Sequence, residues 1–268
     1  MSKPSGSQSC QSQSYRPPLL YLPGMDGTGD LFYRQAAFFE THYTIETFDL
    51  NACQEATWPA LVAAVGRQLN SLQALARQPA VVCGESFGAC LALATAARFP
   101  HRIAALISIN PASSFRRQTW LNWSSQFLQA IPDWLYRCSA ESGLRWLAEL
   151  DRIAPRDRDR FLSTIRAVPK AIACHRLDLL RSFDIDVLPL EAIAAPTLLL
   201  ASGRDRLLPS AAEVHRLAAR LPLAAIEELP LSGHACLLER DLNLKQIVHQ
   251  HPILSSLMQG SQRPISAV

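Results

Sequence analysis

Apolar residues in this chain fall into short unbroken runs separated by longer stretches with helical spacing. Leu19-Leu-Tyr-Leu22, Tyr43–Phe48, Ala80-Val-Val-Cys83 and Ala104–Ile109 are the runs of the first half. Thr197–Ala201 and Leu223–Leu229 are those of the second. Runs this short, bounded by turn residues, predict strands buried on both faces of a mostly parallel sheet. Between them, Leu61, Val62, Val65, Leu69, Leu72 and Leu75 recur on one face, predicting a helix over Trp58–Arg77 with Thr57 as its N-cap. The Ala- and Leu-rich stretch Phe87–Arg98, the stretch Ser210–Leu221 and the segment from Cys236 onward predict three more helices. Alternation of strand and helix implies an α/β fold with a doubly wound sheet.

Residues 113–195 break this rhythm and hold no convincing strand. They read as a helical lid inserted between core strands, with residues 16–112 and 196–258 forming the core. Residues 1–15, rich in Ser and Gln, read as a disordered tail rather than a signal peptide, and 259–268 as a second short tail. The lid carries four of the chain's five tryptophans. Trp120, Trp123, Phe127 and Trp134 are candidates to line an apolar pocket, against the alternative that they pack within the lid. The mixed-sign run Asp151–Arg166 reads as a solvated helix face.

Composition narrows the classes. The formal net charge is only +3, and no Lys/Arg run appears, so a nucleic-acid partner is not expected. The seven cysteines are odd in number and lack C-x-x-C spacing. That argues against a disulfide framework or a zinc site and for a reducing, cytoplasmic setting. No apolar stretch reaches the roughly 18 residues of a membrane span. Peripheral lipid contact and oligomeric state stay open.

Gly84-Glu-Ser-Phe-Gly88 is G-x-S-x-G between a predicted strand and a predicted helix. This is the context of a nucleophile elbow, where the turn aims a serine out of the sheet. The hydroxyl of Ser86 needs a base, and the base needs an orienting acid. Asp205 follows a strand and Gly203; His234 follows the last strand and Gly233. Their order matches serine, acid, histidine. His42, His101, His175, His215, His249 and His251 fit worse and read as surface or satisfied polar residues; Asp184 and Asp186 are the alternative acids. Two backbone N–H groups are assigned to an oxyanion: Phe87, after the nucleophile, and Met25, in the glycine-rich loop 22–29. That loop lacks the residues of a phosphate cradle.

The chain resembles the α/β-hydrolases, and more narrowly the hydrolase part of the plant and cyanobacterial esterase/lipase/thioesterase proteins, the phytyl ester synthases. Tyr21-Leu-Pro-Gly-Met-Asp-Gly-Thr-Gly29, Gly84–Leu93 and Asn110-Pro-Ala-Ser-Ser-Phe115 carry the narrow resemblance, and Ser-Gly-Arg-Asp205 and Ser-Gly-His234 the broad one. The resemblance implies hydrolysis of esters or thioesters with long apolar acyl groups, through an acyl-enzyme and with no metal or organic cofactor. It also implies the alternative of acyl transfer to phytol or a glyceride. The plant proteins continue into an acyltransferase-like part, whereas this chain ends at Val268, so hydrolysis is the first expectation. A lipid-binding protein on the same fold, without turnover, is the remaining alternative.

Overall fold

The computed structural model describes residues 16–53 and 57–254. The expected tails, 1–15 and 259–268, lie outside the described residues, as does the end of the expected core, 255–258. Among the described residues six strands form one sheet: β1 (Pro18–Leu22), β2 (Thr44–Thr47), β3 (Ala80–Glu85), β4 (Ile103–Ile109), β5 (Thr197–Ser202) and β6 (Ala224–Leu229). Their order is β2-β1-β3-β4-β5-β6, and every neighbouring pair is parallel. Each apolar run predicted as a strand is one; β1, β3, β4 and β5 run one or two residues longer than predicted, and β2 and β6 lose single end residues.

The helices are α1 (Tyr33–Phe39), α2 (Trp58–Ala76), α3 (Phe87–Arg98), α4 (Ser124–Ala130), α5 (Asp133–Leu147), α6 (Pro155–Ala167), α7 (Lys170–Ser182), α8 (Ser210–Ala218) and α9 (Leu244–Gln250). Both faces of the sheet are covered, which is why its inner strands β1, β3, β4 and β5 are buried and mostly apolar, whereas the edge strands β2 and β6 carry Glu46, Glu227 and Glu228. Leu20, Leu22, Val82, Leu106 and Leu199 face one buried cluster, which takes in residues of α2, α3 and α8. Leu19, Tyr21, Val81, Cys83, Ile107, Leu198 and Leu200 face the other, which takes in Phe39 of α1 and Leu244 and Val248 of α9. Successive residues point to opposite faces, so both clusters draw on the same strands.

Three local expectations change. Thr57 occupies the N-cap position of α2 with extended backbone, but its side chain makes no capping hydrogen bond. The helix expected from Cys236 is a single 3-10 turn, Cys236–Leu238, and α9 begins only at Leu244, capped by the Asn243 side chain. Cys236, Leu237 and Leu238 are all buried, so no solvated helix face exists there. Glu239 then turns inward to accept from Gly233 N–H at 3.0 Å and Ser232 Oγ at 2.7 Å. Within the mixed-sign run, Asp157 is not solvated. It is buried, accepts from Arg34 Nη1 at 2.9 Å and bonds the Tyr33 hydroxyl.

The described residues of 113–195 form helices and turns, with one isolated bridge, Ile153 to Glu239. That bridge and the bond from Ala235 N–H to Leu147 O, at 2.7 Å, fasten the insertion to the chain just after His234. No helix among the described residues is long and apolar enough to cross a membrane.

Candidate active site

In an open parallel sheet, the loops leaving two adjacent strands toward opposite sides open a crevice at the carboxyl edge. Here β1 lies between β2 and β3, so its connection leads one way and the return to β3 the other. The glycine-rich loop leaves β1 and Ser86 leaves β3, side by side: Leu22 is paired with Gly84. The ends of β5 and β6 bring Asp205 and His234 to the same edge.

Ser86 has φ 55° and ψ −110°, a left-handed conformation rare for a residue with a side chain. The turn closes only because its flanks are bare. A Cβ on Gly88 would collide with the carbonyls of Leu22 and Pro23, and one on Gly84 with the backbone of Gly88. The hydroxyl therefore leaves the sheet edge at the start of α3. There the first amides, Phe87 among them, lack intrahelical acceptors and the helix dipole is positive.

His234 Nε2 stands 2.9 Å from Ser86 Oγ, and its Nδ1 2.7 Å from Asp205 Oδ2. Ser86 is 8% exposed and His234 5%. The carboxylate can only accept, so Nδ1 carries the proton and Nε2 offers its lone pair to the serine hydroxyl. Asp205 is itself held: its Oδ1 accepts from Leu207 and Leu208 N–H at 2.9 and 3.0 Å, and Ser210 Oγ donates to Oδ2. Burial alone would raise the Asp205 pKa, but His234, Ser210 and the Leu208 amide reverse this and leave it below its ordinary value. Burial alone would depress the His234 pKa; the charge and hydrogen bond of Asp205, with the charge of Glu85, outweigh it and hold the imidazole above its ordinary value.

Glu85 precedes the nucleophile. It is buried, its Oε2 accepts from Tyr21 OH at 2.9 Å, and burial pushes its pKa up to about 7 against the pull of His234 and Tyr21. Asn110 follows β4 at φ 44° and bonds Ser202 and the backbone of His234. The sequence pattern singles out none of Glu85, Asn110 and Ser210 as a site residue. The signal available for Asn110 was a polar residue between a buried strand and a proline.

Met25 sits in the loop beside the serine: a Cβ on the preceding Gly24 would lie 3.8 Å from Ser86 Cβ. Among the described residues the Met25 amide donates to no backbone acceptor. The four aromatics expected to line a pocket do not enclose one. Trp120, Trp123, Phe127 and Trp134 are 57–71% exposed. Trp58 stacks on Phe87, the residue after the nucleophile, with ring centroids 4.8 Å apart, and its ring lies 4.5 Å from that of Phe183; Phe87 and Phe183 are core residues. The alternative acids are engaged elsewhere, Asp184 with Arg116 and Asp186 with Arg216. Among the described residues no group of three His, Cys, Asp or Glu side chains is placed to hold a metal ion.

Known proteins resemble this arrangement. Phytyl ester synthase 1 of Arabidopsis thaliana, a chloroplast protein, is 27% identical over 255 residues, which cover 87% of this chain. The match spans only 36% of that protein's length. A thermophilic esterase from Thermogutta terrifontis superposes with a TM-score of 0.70 at 18% identity, covering 93% of this chain and 92% of its own. A bacterial membrane phospholipase A superposes with a TM-score of 0.71 at 20% identity, covering 93% and 80%. At such identities the two structures speak for the fold alone. The model of the alpha/beta hydrolase fold matches residues 17–241, and with it the sheet, the elbow and the His234 loop, so the chain belongs to the α/β-hydrolase family.

Proposed function

We propose that this α/β-hydrolase cleaves carboxylic esters or thioesters with long apolar acyl groups through an acyl-enzyme on Ser86. The observation that carries the reading is the relay Ser86 Oγ, His234, Asp205, with contacts of 2.9 and 2.7 Å in a buried setting. Ser86 attacks the carbonyl carbon as His234 Nε2 takes its proton. Asp205 keeps the imidazole in the required tautomer and stabilises the imidazolium. The N–H groups of Met25 and Phe87 receive the oxyanion, each contributing roughly 3 kcal/mol in the transition state. His234 returns the proton to the leaving alcohol or thiol, and water, activated by the same imidazole, releases the acid. The similarity to a phytyl ester synthase favours a long apolar acyl chain over a polar one.

The test is labelling by a fluorophosphonate together with turnover of p-nitrophenyl esters of increasing chain length. The wild type is expected to label and to prefer the longer chains, and Ser86→Ala to do neither. Labelling that survives in Ser86→Ala would require a different nucleophile. The similarity to a phytyl ester synthase favours a second reading, transfer of the acyl group to an alcohol. Product analysis with and without phytol separates it: ester formed at the expense of free acid identifies transfer.

A further inference from the structure

Arg176, on α7 of the insertion, is 2% exposed, and its guanidinium reaches into the loop that follows β1. Nη1 donates to the carbonyl of Met25 at 2.7 Å and Nη2 to Asn51 Oδ1 at 2.8 Å. Both acceptors are neutral. Burial works against the charge of this group, and the nearby carboxylates of Asp26 and Asp49 favour it. A buried guanidinium satisfied by a backbone carbonyl and an amide is costly for a residue that only fills space.

The peptide planes explain what it does there. The Met25 N–H belongs to the Gly24–Met25 peptide, whose carbonyl accepts from Gly27 N–H at 3.1 Å. The next peptide, Met25–Asp26, is pinned through its carbonyl by Arg176. Beyond it, Asp26 Oδ2 accepts from Thr28 and Gly29 N–H at 3.0 and 3.2 Å. With both planes around Met25 fixed, its N–H has one direction. The fit is close: Gly27 has φ +74°, and a Cβ there would stand 2.6 Å from Nη1 of Arg176. Such a loop needs no reorganisation when charge develops on the substrate oxygen, and that absence is what makes an oxyanion donor effective.

We propose that Arg176 is a positioning residue, through which the insertion holds the Met25 amide in the orientation that receives the oxyanion. The insertion then sets the rate of the chemical step as well as access to the site. This rests on the serine-hydrolase reading above.

The test compares wild type, Arg176→Gln, Arg176→Lys and Asn51→Ala in p-nitrophenyl ester turnover and in inhibition by an alkyl boronic acid, whose serine adduct carries the tetrahedral anion. Arg176→Gln is expected to lower kcat about 10- to 100-fold, below the full effect of deleting one oxyanion donor, with KM changed less than about 3-fold. The boronate should weaken by the same factor as kcat/KM. Arg176→Lys, which keeps a donor for the Met25 carbonyl, should recover part of the loss. Asn51→Ala should move the same two readouts in the same direction by less, and it decides the matter if Arg176→Gln does not fold. Unchanged kcat and boronate affinity, or a rise in KM alone, would overturn the assignment. A wild type that neither labels with a fluorophosphonate nor turns over would sink the serine-hydrolase reading and this assignment with it. An active wild type with an unaffected Arg176→Gln would sink this assignment alone.

Discussion

The side-chain amide of Asn110 donates to the carbonyl oxygen of His234 at 2.7 Å. The same nitrogen donates to Ser202 Oγ at 2.9 Å, and the amide oxygen accepts from Ser202 N–H at 2.7 Å. One buried residue just after β4 thus ties the end of β5 to the loop that carries the base. Replacing it with alanine leaves a buried carbonyl and a buried N–H without partners. Asn110→Ala is therefore expected to cost about 2–4 kcal/mol of stability, read as a lower urea midpoint. It should also lower kcat/KM under conditions where the variant is fully folded, because the His234 backbone is released. Retained stability with full activity would show that the bonds to Ser202 and His234 contribute nothing.

The imidazole of His234 has to be neutral to take the serine proton. Its pKa lies above the ordinary value because Asp205 and Glu85 outweigh burial. Activity should therefore rise with pH through that raised value, so the acidic limb of kcat/KM falls at higher pH than for a free histidine. The same shift stabilises the fold below the ordinary histidine pKa, and that contribution is lost as pH rises through the folded one. Asp205→Asn removes the largest favourable influence on the imidazolium. Its acidic limb is expected at lower pH, with kcat reduced on the order of 10⁴-fold, the scale found for this change in a serine-protease triad. An unmoved limb would mean that another group governs the profile.

Glu85 supplies an independent pH signature. Its pKa is about 7 in the folded protein against an ordinary 4.5. Between those values the folded state holds a proton that the unfolded state has released. The contribution of this carboxyl is thus fully present below the ordinary value and declines as pH rises to 7, by at most about 1.4 kcal/mol per pH unit. Glu85→Gln keeps an acceptor for Tyr21 OH and cannot ionise. Its stability relative to wild type should grow from pH 5 to pH 7 and then level off, in urea titrations at each pH. Its acidic limb should also move down, since one charge favouring the imidazolium is gone. A stability difference that is flat across this range would place the ionised Glu85 in contact with water.

Much of this fold is legible because burial on both faces of a parallel sheet writes strands as unbroken apolar runs, and Leu19–Leu22 and Thr197–Ala201 are read directly. Ser86, Asp205 and His234 are legible for a different reason: each follows a strand, with a glycine within two residues that admits a close turn, in an order the chemistry requires. Arg176 is not legible, because its acceptor lies 151 residues away and nothing in α7 distinguishes it from the surrounding arginines. Glu85 sits inside the motif, yet its protonation is set by burial, which raises its pKa, against His234 and the hydroxyl of Tyr21, which lower it. The stretch after His234 misleads because Cys-Leu-Leu is apolar enough for a helix while all three side chains face inward. The tryptophans of residues 113–195 mislead in the opposite way: large aromatics are usually buried, in a core or a pocket, and these meet solvent.

Those tryptophans give the most direct check on the surface of residues 113–195. The chain has five. Trp58 stacks on Phe87, lies against Phe183 and donates its indole N–H to Leu179 O at 2.8 Å. Trp120, Trp123, Trp134 and Trp146 are each more than half exposed. Acrylamide should therefore quench most of the tryptophan emission readily and leave one minor component protected. Trp58→Phe should remove that protected component and leave the accessible one. The contrast is physical: an indole stacked between rings with its N–H bonded is shielded, whereas one on a solvated helix face meets the quencher at each encounter. A protected majority would mean that the lid indoles are covered, by one another or by a second body, and the outer surface of the insertion would then have to be redrawn.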